Sequence, residues 1–196
     1  VRQETNLVAR GMGRSYGDSA NASKVLQTSL CDRFVKFDES TGLFTAEAGI
    51  TLREILKLIV PKGWFLPVTP GTSFVTLGGA IASDVHGKNH HIVGTFGQHV
   101  ISLRMVLGSG DVITVSPQEN ADLFHATCGG MGLTGIIINV TIQLLPIRSS
   151  FIDQKTIKTD CIEAACEAFE FHHSATYSVA WIDCLSKGKS LGRSVL

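Results

Sequence analysis

Three glycine-rich loops constrain this chain more than any other feature of its sequence. The 196 residues include 20 glycines, about one residue in ten against a usual ~7%. Many of them fall in a first loop (residues 11–18), a second loop (70–91) and a third loop (128–135). Glycine lets the backbone take positive φ and approach a ligand closely. Successive free N–H groups in such loops can form a concave site for phosphate oxygens.

The first and third loops differ from the dinucleotide-binding fingerprint in informative ways. The first reads G-x-G-x-x-x-G, one residue longer than the fingerprint, and its plain alternative is a tight surface turn. The third contains a literal G-x-G-x-x-G at Gly130, Gly132 and Gly135. A Rossmann site needs this motif to follow a strand and open a helix. Here a predicted helix precedes it and a strand follows, so only backbone contacts to a cofactor remain open.

The second loop combines small residues with histidines. Residues 78–82 present almost no side chain on one side, so a flat ring or a diphosphate could lie close to them. His86, His90 and His91 raise the question of a metal site, but no H-E-x-x-H occurs, and Gly and Asn between them oppose a helix, so we expect none. The histidines are either ordinary hydrogen-bonding groups or, for His86 with Lys88, cations that stabilise electron density arriving on an acceptor.

Composition excludes several classes of protein. The chain has 17 Lys and Arg against 17 Asp and Glu, so no basic excess supports nucleic-acid binding. Five cysteines without C-x-x-C oppose a zinc knuckle or a disulfide framework and favour reduced thiols in the cytoplasm. Two long uncharged runs, 63–83 and 129–147, are too polar or too strand-like for a membrane span. Because the chain begins at Val1, we expect a fragment with sequence missing at both ends.

Periodicity predicts a mixed α+β fold with a boundary near residue 148. Strands are expected at 7–10, 33–38, 43–48, 136–145, 151–158 and 177–184, with a hairpin at 101–107 and 111–115. Capping boxes predict helices that start at Thr51, after Ser116 and after Asp160, and a small-residue helix covers 77–83. Antiparallel hairpins mixed with helices favour the α+β class.

Four segments carry a family resemblance. ARGMGRSYGDSA (9–20), TPGTSFVTLGGAIASDVHGKNHH (69–91), GTFGQHV (94–100) and GGMGLTGII (129–137) occur in this order. Together they closely resemble FAD-linked oxidases with a vanillyl-alcohol-oxidase-type (PCMH-type) flavin domain, and among these the decaprenylphosphoryl-β-D-ribose 2′-oxidase subgroup. The resemblance implies a two-lobed α+β FAD-binding domain over 1–148 and the start of an α+β substrate, or cap, domain over 149–196.

The resemblance also implies residue roles. Residues near the pyrophosphate, the ribityl chain, the isoalloxazine and the adenine are expected to be Ala9, Arg10, Gly11, Met12, Gly13, Arg14, Ser15, Tyr16, Gly17, Asp18, Ser19, Gly71, Thr76, Leu77, Gly78, Gly79, Ser83, Asp84, Val85, His86, Ile137 and Ile138. Tyr16, His86 and Lys88 are the candidate catalytic residues. Many family members tether the flavin through a His in an R-S-x-G-H pattern, and Asp18 stands at that place here. The resemblance therefore implies non-covalent FAD.

The implied reaction passes a hydride from a sugar C–H to flavin and leaves a ketone. The expected substrate is the 2′-OH of a polyprenyl-phosphate ribose in cell-wall precursor synthesis, with a partner ketoreductase and peripheral membrane contact. A related oxidase of an alditol or aldonolactone is the main alternative. A non-catalytic nucleotide-binding module and a metal hydrolase are more distant ones.

Overall fold

The computed structural model describes residues 7–196, which form short helices and strands in mixed order. The strands and α-helices are, in chain order, β1 (Leu7–Arg10), β2 (Lys24–Gln27), β3 (Phe34–Asp38), β4 (Leu43–Glu47), α1 (Leu52–Ile59), β5 (Trp64–Phe65), α2 (Leu77–Ala82), α3 (His90–Val93), β6 (Val100–Val106), β7 (Val112–Val115), α4 (Ala121–Thr127), β8 (Ile136–Gln143), β9 (Leu145–Pro146), β10 (Lys158–Thr159), α5 (Ile162–Phe171), β11 (Trp181–Ile182) and β12 (Ser194–Val195). The predicted α+β class is confirmed.

The chain divides into two units. The first runs to Gly87 and resumes over Thr95–Arg148; the second consists of Lys88–Gly94 and Ser149–Leu196. Sequence analysis placed 88–94 in the first region. In the structure, the backbone N–H of Ser178 donates to the Lys88 carbonyl at 3.0 Å, and a ring nitrogen of His91 lies 3.0 Å from the Ala175 carbonyl. These bonds hold 88–94 within the second unit.

An antiparallel five-stranded sheet forms the core of the first unit. Its order is β3-β4-β8-β6-β7, with β8 in the middle. Apolar residues alternate along these strands, and the register aligns them: Phe44 of β4 faces Ile142 of β8, and Leu103 of β6 faces Val140. All four side chains are buried. The alternation that predicted these strands is therefore the pattern that builds the core.

The helices predicted to start at Thr51 and at residue 77 of this unit are also confirmed. Thr51 and Glu54 form the predicted capping box at the start of α1, which buries Leu52, Ile55 and Ile59. The helix α2 begins after Thr76, whose hydroxyl accepts the backbone N–H of Gly79. Its side chains Leu77, Ala80 and Ile81 are buried, so its small-residue positions 78 and 79 lie on the other side.

The first glycine loop connects two parallel strands. β1 pairs with β2 in parallel register, and the backbone N–H of Thr28 donates to the Arg10 carbonyl just beyond the pair. Sequence analysis predicted β1 but not β2, because Lys24–Gln27 has neither strict alternation nor strong β-branched content. Because the strands are parallel, residues 11–23 cross back from the end of β1 at Arg10 to the start of β2 at Lys24.

Several predictions for the rest of the chain were wrong. The strands expected over 151–158 and 177–184 reduce to β10 and β11, because each pairs with only two residues of β12 in the order β10-β12-β11. Asp160 does not cap α5, whose N-cap is Cys161 with no side-chain hydrogen bond. Ser116 accepts the backbone N–H groups of residues 118 and 119, yet α4 begins only at Ala121. That serine therefore stabilises a turn before the helix.

Within residues 7–196, no helix combines the length and hydrophobicity needed to cross a membrane.

Candidate cofactor site

All three glycine loops open on one cleft in the first unit. Its volume is about 490 Å³. This volume lies within the ~300–1,000 Å³ usual for small-molecule and cofactor sites. Small residues such as Ala9, Gly78 and Ala82 line much of it. The loops that the sequence singled out are therefore neighbours in space.

The first loop offers unused hydrogen-bond donors to the cleft. Gly13 and Gly17 have φ of +59° and +64°, which turns the chain sharply back on itself. Among the described residues, the backbone N–H groups of residues 12–16 have no protein acceptor. Arg14, Ser15 and Tyr16 also line the cleft, and the Tyr16 side chain is fully exposed. Backbone donors of this kind, next to an arginine, suit a diphosphate.

Side chains behind the loop fix its position. The Arg10 guanidinium packs against Gly13, where a Cβ would lie 2.8 Å from Arg10 Nη2, and it donates to Asn21 Oδ1 at 2.7 Å. Gln27 Nε2 donates to the Gly11 carbonyl at 3.2 Å. Arg10 thus supports the loop and is not among the residues that line the cleft.

The second loop contributes α2 and the segment that follows it. Gly78 packs against Ala48, and its N–H donates to the Ala48 carbonyl at 2.8 Å, which brings the end of β4 to the cleft. After α2, the cleft is lined by Ser83, Asp84, Val85 and His86. His86 forms an isolated antiparallel bridge with Thr95, so this part of the segment is held as a short hairpin.

The third loop both lines the cleft and hydrogen-bonds to the C-terminus of α2. The N–H groups of Gly129 and Met131 donate to the carbonyls of Ile81 and Ala82 at 3.0 and 2.8 Å. They satisfy acceptors that a helix leaves free at its C-terminus. Met131, Gly132, Gly135 and Ile137 then face the cleft. The literal G-x-G-x-x-G is thus a helix-ending and wall-forming loop, in agreement with the exclusion of a Rossmann site.

The charge near this wall is small. Burial raises the pKa of the Cys128 thiol to about 11, and the neighbouring Asp84 carboxylate adds to the shift. The thiol is therefore neutral at physiological pH. Arg14, Asp84 and His86 are the lining residues with titratable side chains besides Tyr16. The cleft thus relies on backbone donors more than on side-chain charge.

The structure brings together most of the predicted site residues. Those lining the cleft are Ala9, Gly11, Met12, Gly13, Arg14, Ser15, Tyr16, Ser19, Gly71, Thr76, Gly78, Gly79, Ser83, Asp84, Val85, His86 and Ile137. Five others lie outside the lining: Arg10, Gly17, Asp18, Leu77 and Ile138. Leu77 has no exposed surface and packs in the core. Lys88 belongs to the second unit.

Nine further lining residues were not among those that sequence analysis predicted to contact the cofactor. They are Ala20, Thr28, Ala48, Pro70, Val75, Ala82, Met131, Gly132 and Gly135. The glycines of the third loop carried a usable signal, since backbone contact from that loop remained open. Ala48 and Thr28 carried none, because their place depends on strand pairing that brings distant residues together. Within the described part of the chain, no three His, Cys, Asp or Glu side chains converge as metal ligands would.

Glycine positions leave backbone exposed along the cleft, as the close approach of a dinucleotide would require. At Gly11 a Cβ would lie 2.3 Å from Thr76 Oγ1, so the first and second loops meet without room for a side chain. At Gly71 and Gly132 a Cβ would enter open space, which leaves bare backbone facing the cleft. A family of proteins described as FAD binding domains matches residues 1–116.

The chain belongs to this family of FAD-binding domains. The resemblance to FAD-linked oxidases is thereby confirmed. Decaprenylphosphoryl-β-D-ribose oxidase of Mycolicibacterium smegmatis is 40% identical over 198 residues, which cover 97% of this chain and 42% of that protein. L-gulonolactone oxidase of Mus musculus is 28% identical over 202 residues, covering 96% and 45%. The chain thus spans less than half the length of these curated relatives.

A solved structure supports the fold of the FAD-binding domain. The 6-hydroxy-D-nicotine oxidase of Arthrobacter nicotinovorans superimposes with a TM-score of 0.65 at 21% identity, over 72% of this chain and 31% of that one. At this identity the likeness concerns the fold alone. It confirms the predicted PCMH-type α+β architecture.

Proposed function

We propose that the three-loop cleft holds FAD and that the whole protein is an FAD-dependent oxidoreductase acting on a CH–OH group. The observation that carries the proposal is the convergence of the unused N–H donors of residues 12–16 with the Ser83–His86 wall in one cleft. Family membership and the 40% identical relative support it. Bound FAD would supply the hydride acceptor.

Different residues of the cleft would bind different parts of FAD. The N–H groups of residues 12–16 donate to the pyrophosphate, with Arg14 adding a charge-assisted bond. Gly71, Gly78 and Gly79 let the diphosphate and ribityl chain approach the backbone. Ser83 to His86 border the isoalloxazine, and Ile137 borders the adenine. Arg10, Leu77 and Ile138 would contribute by supporting these segments, and Gly17 and Asp18 by completing the first loop.

Three residues are proposed to act in catalysis. Tyr16, fully exposed at the cleft, borders the substrate side. His86 lies in the cleft wall, where its imidazole can hold a proton or donate to the reacting end of the acceptor. Lys88 adds positive charge two residues further along the chain, and electron density arriving on an acceptor is stabilised by such donors.

The proposed substrate is the 2′-OH of a polyprenyl-phosphate ribose, which would be oxidised to a 2-keto sugar during cell-wall precursor synthesis. The decaprenylphosphoryl-β-D-ribose oxidase relative supports this choice. A partner ketoreductase would reduce the product, and a polyprenyl tail would place the cytoplasmic enzyme at a membrane surface. FAD would be bound without a covalent link, because Asp18 cannot form a histidyl bond.

An alditol or aldonolactone is the second candidate substrate class. Relatives named L-gulonolactone oxidase and putative D-arabinono-1,4-lactone oxidase support it, at 28% and 29% identity. Their lower identity makes it the weaker candidate. A non-catalytic nucleotide-binding module is the third, and it would hold a nucleotide in this cleft without reducing it.

Anaerobic flavin reduction separates these candidates. The full-length protein is mixed with decaprenylphosphoryl ribose, with an alditol or with an aldonolactone, and loss of flavin absorbance is followed. We expect rapid reduction by the ribose lipid and a markedly slower reaction in H86Q, with FAD still bound. Reduction by the alditol or lactone alone would favour the second candidate, and no reduction by any of them would favour the third.

A further inference from the structure

We propose that Asp84 is a positioning residue whose carboxylate holds the 83–86 segment of the cleft by its bond to the backbone of Gly97. The proposal rests on the proposed binding of FAD in this cleft. It assigns Asp84 a role different from direct contact with the flavin. Its carboxylate accepts a bond from the protein backbone, and this bond determines where the neighbouring backbone and His86 lie.

Asp84 has an unusual backbone conformation at the end of α2. The N–H of Val85 donates to the Ala80 carbonyl at 3.0 Å, and the N–H of Asp84 donates to the Ile81 carbonyl at 2.9 Å. This pair of bonds is the Schellman motif, whose turning residue takes a left-handed conformation and is usually glycine. Here that residue is Asp84, with φ of +40°. A non-glycine residue at positive φ is uncommon and points to a compensating interaction.

The compensating interaction is a hydrogen bond across the hairpin. The backbone N–H of Gly97 donates to Asp84 Oδ1 at 2.8 Å. Two further contacts continue it: the N–H of Phe96 donates to the Val85 carbonyl at 2.9 Å, and His86 forms its bridge with Thr95. The carboxylate therefore closes the open end of a hairpin in which residues 83–86 line the cleft and residues 95–97 do not. An ionised acceptor makes such a bond stronger than a neutral one.

The surroundings of Asp84 leave little freedom for another arrangement. At Gly97 a Cβ would lie 2.9 Å from Asp84 Oδ1 and 3.0 Å from Cys128 Sγ, so this approach requires glycine. At Gly129 a Cβ would lie 3.4 Å from Asp84 Cβ. The half-buried Asp84 side chain thus lies close to Gly97 and Gly129, and its charge acts on the Cys128 thiol.

The test compares two substitutions that separate the backbone conformation from the hydrogen bond. D84G removes the strain of the positive φ, but it also removes the carboxylate that accepts the Gly97 bond. D84N tolerates the left-handed conformation and keeps an oxygen acceptor. D111N serves as the matched control, because Asp111 lies in the β6–β7 turn and accepts from Ser109. In the full-length protein, one measures the FAD dissociation constant, the visible circular dichroism of bound FAD and hydrogen exchange at the Gly97 amide.

We expect D84G to weaken FAD binding by about tenfold, as loss of a hydrogen-bond partner would. It should also change the flavin dichroism and expose the Gly97 amide to exchange. D84N keeps an oxygen acceptor but loses the charge, so it should lose distinctly less affinity than D84G, and D111N should match wild type. Wild-type affinity and dichroism in D84G would overturn the proposal. Equal defects in D84N and D84G would also overturn it, because the charge rather than the bond would then matter.

These readouts use no sugar substrate. A wild-type protein that binds FAD but oxidises no ribose lipid would therefore refute the proposed substrate and leave the role of Asp84 standing. A wild-type protein that binds no FAD would refute both.

Discussion

Gly11 approaches Thr76 so closely that a Cβ at position 11 would lie 2.3 Å from Thr76 Oγ1 and 2.8 Å from its Cγ2. The same Oγ1 accepts the N–H of Gly79 at 3.1 Å, so it cannot turn away without uncapping α2. The first loop and the start of α2 are therefore fixed to each other at the cleft. A residue outside the loop thus sets the position of the proposed pyrophosphate donors.

Gly11→Ala should weaken FAD binding by at least about tenfold, because the first loop must move away from Thr76. An extra methyl group in such a closely packed place typically destabilises the structure by about 1–3 kcal/mol. The dissociation constant is measured by titrating apoprotein with FAD and following flavin fluorescence. Gly108→Ala is the control, since a Cβ there meets nothing within 4 Å and Gly108 lies outside the cleft. Unchanged affinity in Gly11→Ala would contradict the close contact.

Local sequence signals predicted the elements that local interactions build. The capping box of Thr51 and Glu54 lies within one helical turn, and the alternation of 136–143 is a property of one strand. Both were recognisable without knowing the rest of the fold. The resemblance supplied the proposed site, because its motif segments lie in three loops that are far apart in the chain.

Features that depend on distant partners could not be predicted. β10 and β11 are short because β12 offers each of them only two residues, and no pattern in 151–158 shows this limit. Ala48 reaches the cleft because Gly78 packs on it. Leu77 lies next to Gly78 in sequence, yet the turn of α2 directs it into the core. Each outcome depends on tertiary packing rather than on local preference.

Glu47→Gln should remove a pH-dependent part of the stability. Glu47 accepts two bonds from the Arg33 side chain and one from its backbone N–H, and these bonds lower the pKa of the Glu47 carboxyl from its ordinary value of 4.5. A carboxyl with a lowered native pKa stabilises the fold above its unfolded pKa and loses that contribution as the pH falls through the native value. The free energy of unfolding, measured in urea at neutral pH, should therefore be higher for the wild type than for the variant.

The same comparison in acid is the decisive measurement. The difference in the free energy of unfolding should shrink as the pH falls below 4.5 and vanish once Glu47 is protonated in the native protein. Arg33→Gln should reproduce the trend, because it removes the other partner. A difference that stays constant from neutral to acid pH would show that the protonation of Glu47 is not coupled to folding.

Acid precipitation should release the flavin from the full-length holoprotein. The side chain at the position of the tethering histidine is the Asp18 carboxylate, which cannot form a histidyl link to flavin. After precipitation with trichloroacetic acid, the yellow colour should remain in the supernatant, and the mass of the denatured protein should equal that of the polypeptide alone. Colour in the washed pellet would refute non-covalent binding.

Cys128 should resist alkylation while the protein is folded. Burial, with a contribution from Asp84, raises the pKa of this thiol to about 11. Compared with an ordinary cysteine of pKa about 8.5, it should hold roughly two-hundredfold less of the reactive thiolate at about pH 8. Iodoacetamide labelling with peptide mass spectrometry should therefore modify the exposed Cys31 well before Cys128, and unfolding in urea should abolish the difference. Asp84→Asn should accelerate labelling of Cys128 modestly, because burial, which is the larger cause of the raised pKa, remains.

Equal labelling of Cys31 and Cys128 in the folded protein would contradict the partly buried position of Cys128 beside Asp84.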